Sequence, residues 1–448
     1  MRKLYSIFFI LVPILSLKAQ LYSLNPNEGI IGGGFGLNWI DGKPHYTFHF
    51  FPEVSLGDLG FGLDLNIDFD PNGKIRTENF NDFSDYLSVI RYVRYGKKDD
   101  PFYIRVGALD YSTLGHGSIM YLYNNSPSFD TRKIGMELDI DFNAFGFESV
   151  YGNFGQAGVF GMRGFVRPFQ FTSLANIPII NDFEIGASFA SDFNEMAGVD
   201  SVSYNYGNNK FNIVNDEGSL SIFGFDIGIP IVKSNLINFE LYCDYTKIID
   251  YGSGVAAGAI FGFNLLDLID SKIKFERRFN GDNYIPSYFN SFYELERFNF
   301  DSSSGIVSSK IQSLKNIQSV GDGFYGELFV KVLGWFDIIG SYQRLDDYPK
   351  SGILHIYTNI MPEDYPYILK AGYDKVNIEG GSDLFKLDDR SLLYFEYGYK
   401  VFPFLVLSLV YNWTFTPIRD SEDNIIEYKT QKRIEPRISF IYPLKFGQ

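Results

Sequence analysis

The chain has 448 residues, of which 80 are aromatic and 44 are glycine, and it carries 39 Lys and Arg against 54 Asp and Glu. An apolar fraction of 45% excludes a disordered chain, and the single cysteine, Cys243, excludes both a disulfide framework and a thiolate zinc cluster. The net charge of −15 argues against nucleic acid as a partner, because sequence-independent binding needs a basic surface.

The first twenty residues have the pattern of an export signal. Two basic residues precede an apolar run over residues 4–17, and Ala19 supplies a small residue before a cleavage point. The run is shorter than the roughly 20 residues that a spanning helix needs. We therefore predict a cleaved signal peptide at residues 1–19 and a single mature domain at residues 20–448.

The rest of the chain repeats with a period of two. In residues 59–70, Leu, Phe and Ile occupy one parity, and Gly, Asp and Asn occupy the other. This alternation is typical of a strand with two unlike faces. We mark twenty-one such segments, near residues 29–40, 44–54, 59–69, 86–95, 101–109, 132–142, 145–154, 158–169, 181–192, 220–232, 237–248, 253–263, 271–279, 284–294, 321–333, 335–344, 352–360, 367–376, 391–401, 403–415 and 432–443.

The composition of the two faces distinguishes a soluble sandwich from a membrane barrel. The polar parity is rich in Gly, Ser and isolated charges, whereas a sandwich exposes Lys, Glu and Thr to water. Many segments are about ten residues long, as a tilted membrane strand requires. Tyr and Trp lie near segment ends, where interfacial girdles occur. The residues concerned are Trp39, Trp335, Trp413, Tyr399, Tyr411 and Tyr442.

With its export signal, alternating segments and aromatic content, the chain resembles outer-membrane β-barrel proteins of Gram-negative bacteria, and in layout it is similar to porins. The resemblance implies an all-β fold, a single antiparallel up-and-down transmembrane β-barrel of about 18–20 strands. Both ends of such a barrel are periplasmic, so the number of strands must be even. Residues 280–295 are the weakest of the twenty-one segments and read equally well as an ordered loop, which leaves twenty strands.

Charged residues on the inward parity are the candidate functional residues. If Phe102 and Ile104 meet lipid, Arg105 points into the lumen, and the same parity applies to the next strands. Rings of charge in a lumen set ion preference, although cross-strand ion pairs in a plugged barrel would show the same pattern. The predicted lumen-lining residues are Arg105, Glu137, Asp139, Glu148, Arg163 and Arg167.

The loop near residues 110–132 is a candidate constriction. In porins a loop at this place folds into the lumen, and the middle of this one is nearly uncharged, which lowers the cost of burying it. His116, Ser118 and Tyr121 are its candidate constriction residues. The spacing of His116 and Ser118 also resembles that of outer-membrane lipid deacylases, but no third orienting residue is evident, so we predict no enzyme activity.

A weak metal-binding pattern follows one predicted strand. Asp68, Asp70 and Asn72 match the first half of a calcium loop, but the closing position holds Asn79 in place of Glu. A strand that runs into a polar turn explains the same residues. We therefore predict no cofactor, with calcium at an extracellular loop as the alternative.

Two functions remain compatible with the sequence. The first is an outer-membrane channel or porin-like transporter for small polar solutes, with selectivity set by inward charges and the infolded loop. The alternative is a non-channel surface barrel that acts through long extracellular loops as an adhesin, receptor or structural envelope protein. The predicted partners are outer-membrane lipid and small polar solutes.

Overall fold

The computed structural model describes residues 27–77, 80, 86, 89–98, 100–128, 132–266, 268–301, 305–317, 320–333, 335–361, 365–422 and 425–445. The predicted signal peptide lies outside them. Among the described residues, no helix is long and apolar enough to span a bilayer.

The structure consists almost entirely of β-strands, joined by short helices and turns. In chain order the strands are β1 (Glu28–Ile40), β2 (Lys43–Phe50), β3 (Glu53–Leu56), β4 (Leu59–Leu63), β5 (Leu65–Phe69), β6 (Ile90–Tyr95), β7 (Phe102–Gly107), β8 (Gly135–Asp141), β9 (Phe145–Tyr151), β10 (Val159–Val166), β11 (Glu184–Asp192), β12 (Val199–Asn205), β13 (Lys210–Asp216), β14 (Ser221–Lys233), β15 (Ile237–Ile248), β16 (Ser253–Leu265), β17 (Ile269–Asn280), β18 (Phe298–Asp301), β19 (Ile306–Ser309), β20 (Gly323–Val332), β21 (Phe336–Leu345), β22 (Gly352–Ile360), β23 (Tyr367–Ile378), β24 (Ser391–Phe402), β25 (Leu405–Arg419) and β26 (Ile425–Lys445). The short helices are α1 (Tyr293–Glu296) and α2 (Lys310–Asn316), and two 3₁₀ turns span Pro168–Phe171 and Ser173–Asn176.

Twenty antiparallel strands close into a barrel. β2 and β3 are two halves of one wall strand, and so are β4 and β5, because each pair forms a single hairpin arm. The hairpins β12–β13 and β18–β19 form two separate small sheets. Closure comes from β1, which pairs with β26 from Glu28↔Lys445 to Ile40↔Arg433. The predicted fold class and the even strand number are therefore confirmed.

The connections divide the barrel into two unlike ends. One end, the short-turn rim, carries both described termini and the turns 57–58, 96–101, 142–144, 234–236, 266–268, 333–335, 361–366 and 403–404, with one longer connection at 167–183. The other end, the long-loop rim, carries the connections 41–42, 70–89, 108–134, 152–158, 193–220, 249–252, 281–322, 346–351, 379–390 and 420–424. In outer-membrane barrels the short turns are periplasmic, so the long-loop rim faces outward.

The two faces of each strand differ as the alternation predicts. On β14 the outward Phe225 is 57% exposed, whereas its neighbour Asp226 is buried inside the barrel. On β17 the outward Ile273 and Phe275 are exposed, whereas Glu276 is fully buried. A closed barrel with an apolar exterior can remain in lipid because every wall strand has two hydrogen-bonded neighbours. The chain is located in the outer membrane, where barrels of this architecture occur.

One interpretation of the sequence is confirmed and one prediction is wrong. Residues 281–297 enter the lumen and add no wall strand, as the even strand number and the weak pattern of residues 280–295 indicated. The strands β6 to β9 have only six or seven residues, fewer than the expected ten. β7 and β8 are short because the chain leaves the wall early to form the connection at 108–134.

Candidate functional site

The connection at residues 108–134 folds into the barrel and touches walls on several sides. Gly115 donates its backbone N–H to Glu148 Oε2 on β9 at 2.8 Å. On another side, Ser118 Oγ donates to Asp244 Oδ2 on β15 at 2.6 Å, and Ser128 Oγ donates to the carbonyl of Phe415 on β25 at 2.7 Å. The loop therefore spans the lumen rather than lining one wall.

A second segment, residues 281–297, packs against this loop through backbone hydrogen bonds. The N–H of Phe289 donates to the carbonyl of Ile119 at 3.1 Å, and the N–H of Tyr121 donates to the carbonyl of Phe289 at 3.0 Å. We call residues 108–128 and 281–297 together the plug.

The centre of the plug is apolar and packs against the inward face of the wall. Its buried side chains are Leu109, Leu114, Ile119, Met120, Tyr123, Tyr284, Tyr288, Phe289 and Tyr293. The wall contributes Val150, Val159, Ala190, Ile222 and Ile248 to the same cluster. These wall residues lie toward the long-loop rim, so the plug fills that half of the lumen.

Inward-facing glycines provide space for the plug. A Cβ at Gly161 would lie 3.1 Å from Met120 Cε, and a Cβ at Gly224 would lie 3.1 Å from Ile119 Cδ1. Gly152 similarly faces the hydroxyl of Tyr123. The glycine-rich parity of the sequence is therefore partly explained by the close approach of the plug to these strands.

The three predicted constriction residues lie at the edge of the plug that faces the short-turn rim. His116 stacks on the ring of Tyr242 with centroids 4.1 Å apart, and its Nδ1 lies 2.8 Å from Asp244 Oδ1. The main chain of His116 accepts a hydrogen bond from Lys274 Nζ. Tyr121 donates its hydroxyl to Glu327 on β20.

The charge of His116 follows from its carboxylate neighbours. Burial lowers the pKa of this loop residue, but Asp244 and Glu240 outweigh that effect and raise the pKa to about 9. His116 is therefore an imidazolium at neutral pH, held between two carboxylates of β15.

The plug forms the floor of a cavity of about 830 Å³, which we call the vestibule. Tyr111, His116 and Tyr121 border it at the plug, and it extends to Asp100 and Asn235 in turns of the short-turn rim. All six residues predicted to line the lumen border this cavity, namely Arg105, Glu137, Asp139, Glu148, Arg163 and Arg167.

Ion pairs connect the charged residues of the vestibule wall. Lys98 Nζ lies 2.5 Å from Glu137 and 2.6 Å from Asp139. Arg105 pairs with Asp110 of the plug at 2.9 Å.

Arg163 has the most partners of the predicted group. Its guanidinium contacts Glu148 at 3.0 Å, Glu184 at 2.6 Å and Asp226 at 2.5 Å. Arg167 pairs with the same Glu184. These residues therefore have both features that the sequence suggested: they line a cavity, and they form cross-strand ion pairs.

Sequence reasoning missed three residues at this site. Lys274 of β17 has its ammonium 5.1–5.5 Å from the ring centroids of three tyrosines, and Glu327 of β20 accepts from two tyrosine hydroxyls. Both lie on the inward parity of predicted strands, so the parity could have identified them. Lys98 lies in the turn at 96–101, where alternation gives no direction.

The residues of the catalytic and metal-binding patterns make other contacts in the structure. His116 and Ser118 both bind Asp244, so the carboxylate lies between them, whereas a hydrolase needs the imidazole between serine and acid. The calcium pattern is divided between two roles. Asp68 pairs with Arg433 inside the barrel at 3.1 Å, and Asp70 accepts the backbone N–H groups of its own turn. The residues that the structure describes contain no group of three or more His, Cys, Asp or Glu placed to hold a metal ion.

No family model matches the sequence, and no curated protein matches it. Among solved structures, the chain is similar to OccAB2 of Acinetobacter baumannii, with 12% identity, 93% of this chain and 98% of that chain covered, and a TM-score of 0.31. It is similar to OccK5 of Pseudomonas aeruginosa, with 12% identity, coverage of 94% and 98%, and a TM-score of 0.32. It is also similar to the ferric-catecholate import receptor Fiu of E. coli K12, with 10% identity, coverage of 94% and 82%, and a TM-score of 0.36.

The fold is established by the strand pairing of this chain itself. The closed sheet, the apolar exterior and the infolded loop together make this chain an outer-membrane β-barrel that is porin-like in layout.

Proposed function

We propose that the barrel is a channel for small polar solutes and that the vestibule is the part that receives them. The observation that carries the proposal is the vestibule itself, a cavity of about 830 Å³ that reaches one rim and is bordered by charges of both signs. This volume lies within the range typical of small-molecule pockets, roughly 300–1,000 Å³.

Opposite charges at close quarters favour polar solutes over apolar ones. Arg105 and Arg167 border the vestibule together with Asp110 and Asp141, their ion-pair partners. Their transverse field orients water and dipolar molecules, and the balance of charge in the lining sets the preference between cations and anions.

Solute flux through the purified protein tests the proposal. We expect vesicles that contain the protein to swell in small polar solutes and to show an ion current. Arg167→Gln should shift the current toward cations several-fold, because it removes a positive charge from the vestibule. Arg277→Gln is the matched control, since Arg277 pairs with Asp322 and Asp346 near the long-loop rim. Inserted protein that passes no solute would contradict the channel.

A second candidate function, a surface receptor, is favoured by an ordered cap on the long-loop rim. The hairpins β12–β13 and β18–β19 pack together through Phe211, Phe298 and Phe300. Tyr206 and Val214 of the first hairpin remain 67% and 65% exposed. We call these two hairpins the cap.

A further inference from the structure

The plug meets the barrel wall in the way that a reversible protein partner meets its binding surface. Its centre is apolar, with Met120 and Phe289 fully buried, and its edges are polar or charged. An apolar centre with a polar rim is the general anatomy of interfaces between separate proteins.

The outer edge of the plug is fixed by a buried cluster of four charges. Arg297, which directly follows α1, lies 2.5 Å from Asp192 at the end of β11 and 2.6 Å from Glu294. Glu294 also pairs with Lys133, which lies just before β8. Two charges therefore belong to the wall side, Asp192 and Lys133, and two belong to the segment that enters the lumen.

Tyrosines of the plug complete this cluster. Tyr293 donates its hydroxyl to Asp192 at 2.7 Å, and Tyr123 donates to Glu294 at 2.5 Å. Both infolded segments are thus connected to the same charges, so a change at the cluster acts on both.

Because of this cluster, the stability of the plug in its observed position depends on each of the four charges. Buried ion pairs add little net stability compared with apolar packing, but loss of one partner leaves a charge buried without compensation, which is strongly destabilising. When the plug moves, all four groups can regain water from the polar lumen, so displacement does not leave them unsolvated.

We propose that the plug is a displaceable gate and that Asp192, Arg297, Glu294 and Lys133 form its latch. The proposal rests on the channel function proposed above, because it assigns the regulation of the same lumen. In the latched position the vestibule ends at the plug. Displacement of the plug joins the vestibule to the long-loop rim.

Access to a buried residue of the plug tests the latch without any measurement of transport. Cys243→Ser removes the native thiol, and Met120→Cys places a thiol at the centre of the plug. We expect Arg297→Met to speed the reaction of this thiol with a small water-soluble maleimide at least about tenfold, because Asp192 loses its cation. Asp192→Asn, which leaves Arg297 with Glu294, should speed it less.

The matched control is Arg277→Met, which removes an arginine from a half-exposed ion pair on the wall and should leave the labelling rate unchanged. A band shift between boiled and unboiled samples shows that each variant retains the closed barrel. Equal labelling rates in the Cys243→Ser, Met120→Cys protein with and without Arg297→Met or Asp192→Asn, with the band shift retained, would overturn the latch.

Bilayer currents then separate the gate from the channel. We expect Arg297→Met to raise the mean current several-fold. A tether of Ser118→Cys with Asp244→Cys, whose parent side chains meet at 2.6 Å, should lower it again until the disulfide is reduced. Faster labelling of a protein that passes no bilayer current would support the latch and would contradict only the proposed channel function. A mean current that is unchanged by both Arg297→Met and the tether would contradict the gate.

Discussion

Gly161 shows how a single missing side chain connects the wall to the plug. It faces inward on β10, where a Cβ would lie 3.1 Å from Met120 and 3.5 Å from Leu114. Gly164 on the same strand has nothing within 4 Å of the equivalent position. The two glycines therefore form a natural pair for comparison.

Gly161→Val should push the plug away from β10, at a cost of about 1–3 kcal/mol to the closed position, because the added methyl groups have no free space. We expect a larger mean ion current and a retained barrel. Gly164→Val should change neither quantity. Equal currents in wild type and Gly161→Val would show that the plug does not depend on this contact.

His116 gives the plug a measurable dependence on pH. Its pKa is about 9 in the folded protein against about 6.5 in an unfolded chain. A raised pKa contributes stability that is fully present below about pH 6.5 and is lost as pH rises through about 9. The imidazolium faces Asp244 and Glu240 on β15, with Lys274 of β17 at its carbonyl.

The free energy of unfolding should therefore fall between pH 7 and pH 10 by on the order of 2 kcal/mol more in wild type than in His116→Gln. Thermal unfolding in detergent, followed by loss of the band shift, measures the difference. Parallel pH curves for the two proteins would contradict an imidazolium at this position.

Some residues that border the vestibule could be assigned to the inside of the barrel from the sequence because they lie on strands. The parity that puts Phe102 outside puts Arg105 inside, and the same reasoning holds for Glu137 and Arg163. It could not predict which ion pairs form, since the pairs depend on the stagger between strands. Arg163, for example, reaches Asp226 two strands away.

Among the elements, the two infolded segments differ in how well the sequence predicts them. The nearly uncharged middle of residues 110–132 indicated a loop that enters the lumen. The segment at 281–297 gave a weaker signal, because its Tyr and Phe resemble those of a strand, and only its weak alternation and the even strand number indicated a loop. Its place is set by backbone hydrogen bonds to Ile119 and Tyr121, which no local pattern encodes.

The cap is an element that the sequence did not indicate as structured. Replacement of residues 199–216 by a short Gly–Ser turn removes β12 and β13, which lie outside the barrel sheet. We expect ion currents to stay within about twofold of wild type, because the vestibule lies toward the opposite rim. Loss of the current would assign the cap to the conducting path, and loss of surface binding with unchanged current would support the receptor function.

At the scale of the whole molecule, the barrel forms because apolar side chains face lipid and polar side chains face the lumen. Leu409 and Ile438 are about half exposed on the exterior, whereas Glu435 and Ser408 on the same strands are buried inside. The alternation alone predicted this arrangement, because a period of two assigns every second residue to the same face. The rims were also predicted in part, from the alternation of short and long connections.

The charges bordering the vestibule predict an ion preference. Among the described residues that border it, eleven are Asp or Glu and seven are Lys or Arg, with His116 in addition. We expect reversal potentials in a KCl gradient to show a preference for K⁺ over Cl⁻ that weakens as salt rises, because salt screens these charges. A preference for Cl⁻ would show that the carboxylates are neutralised in the open channel.

The most direct test of the account is the bilayer current of a protein in which residues 110–132 are replaced by a short Gly–Ser turn. Without this loop, residues 281–297 lose the backbone hydrogen bonds to Ile119 and Tyr121 that place them in the lumen. The lumen of the twenty-stranded barrel should then open to water, and we predict steady ohmic currents several-fold larger than those of wild type. A variant that inserts, keeps its band shift on boiling and passes no current would contradict the account.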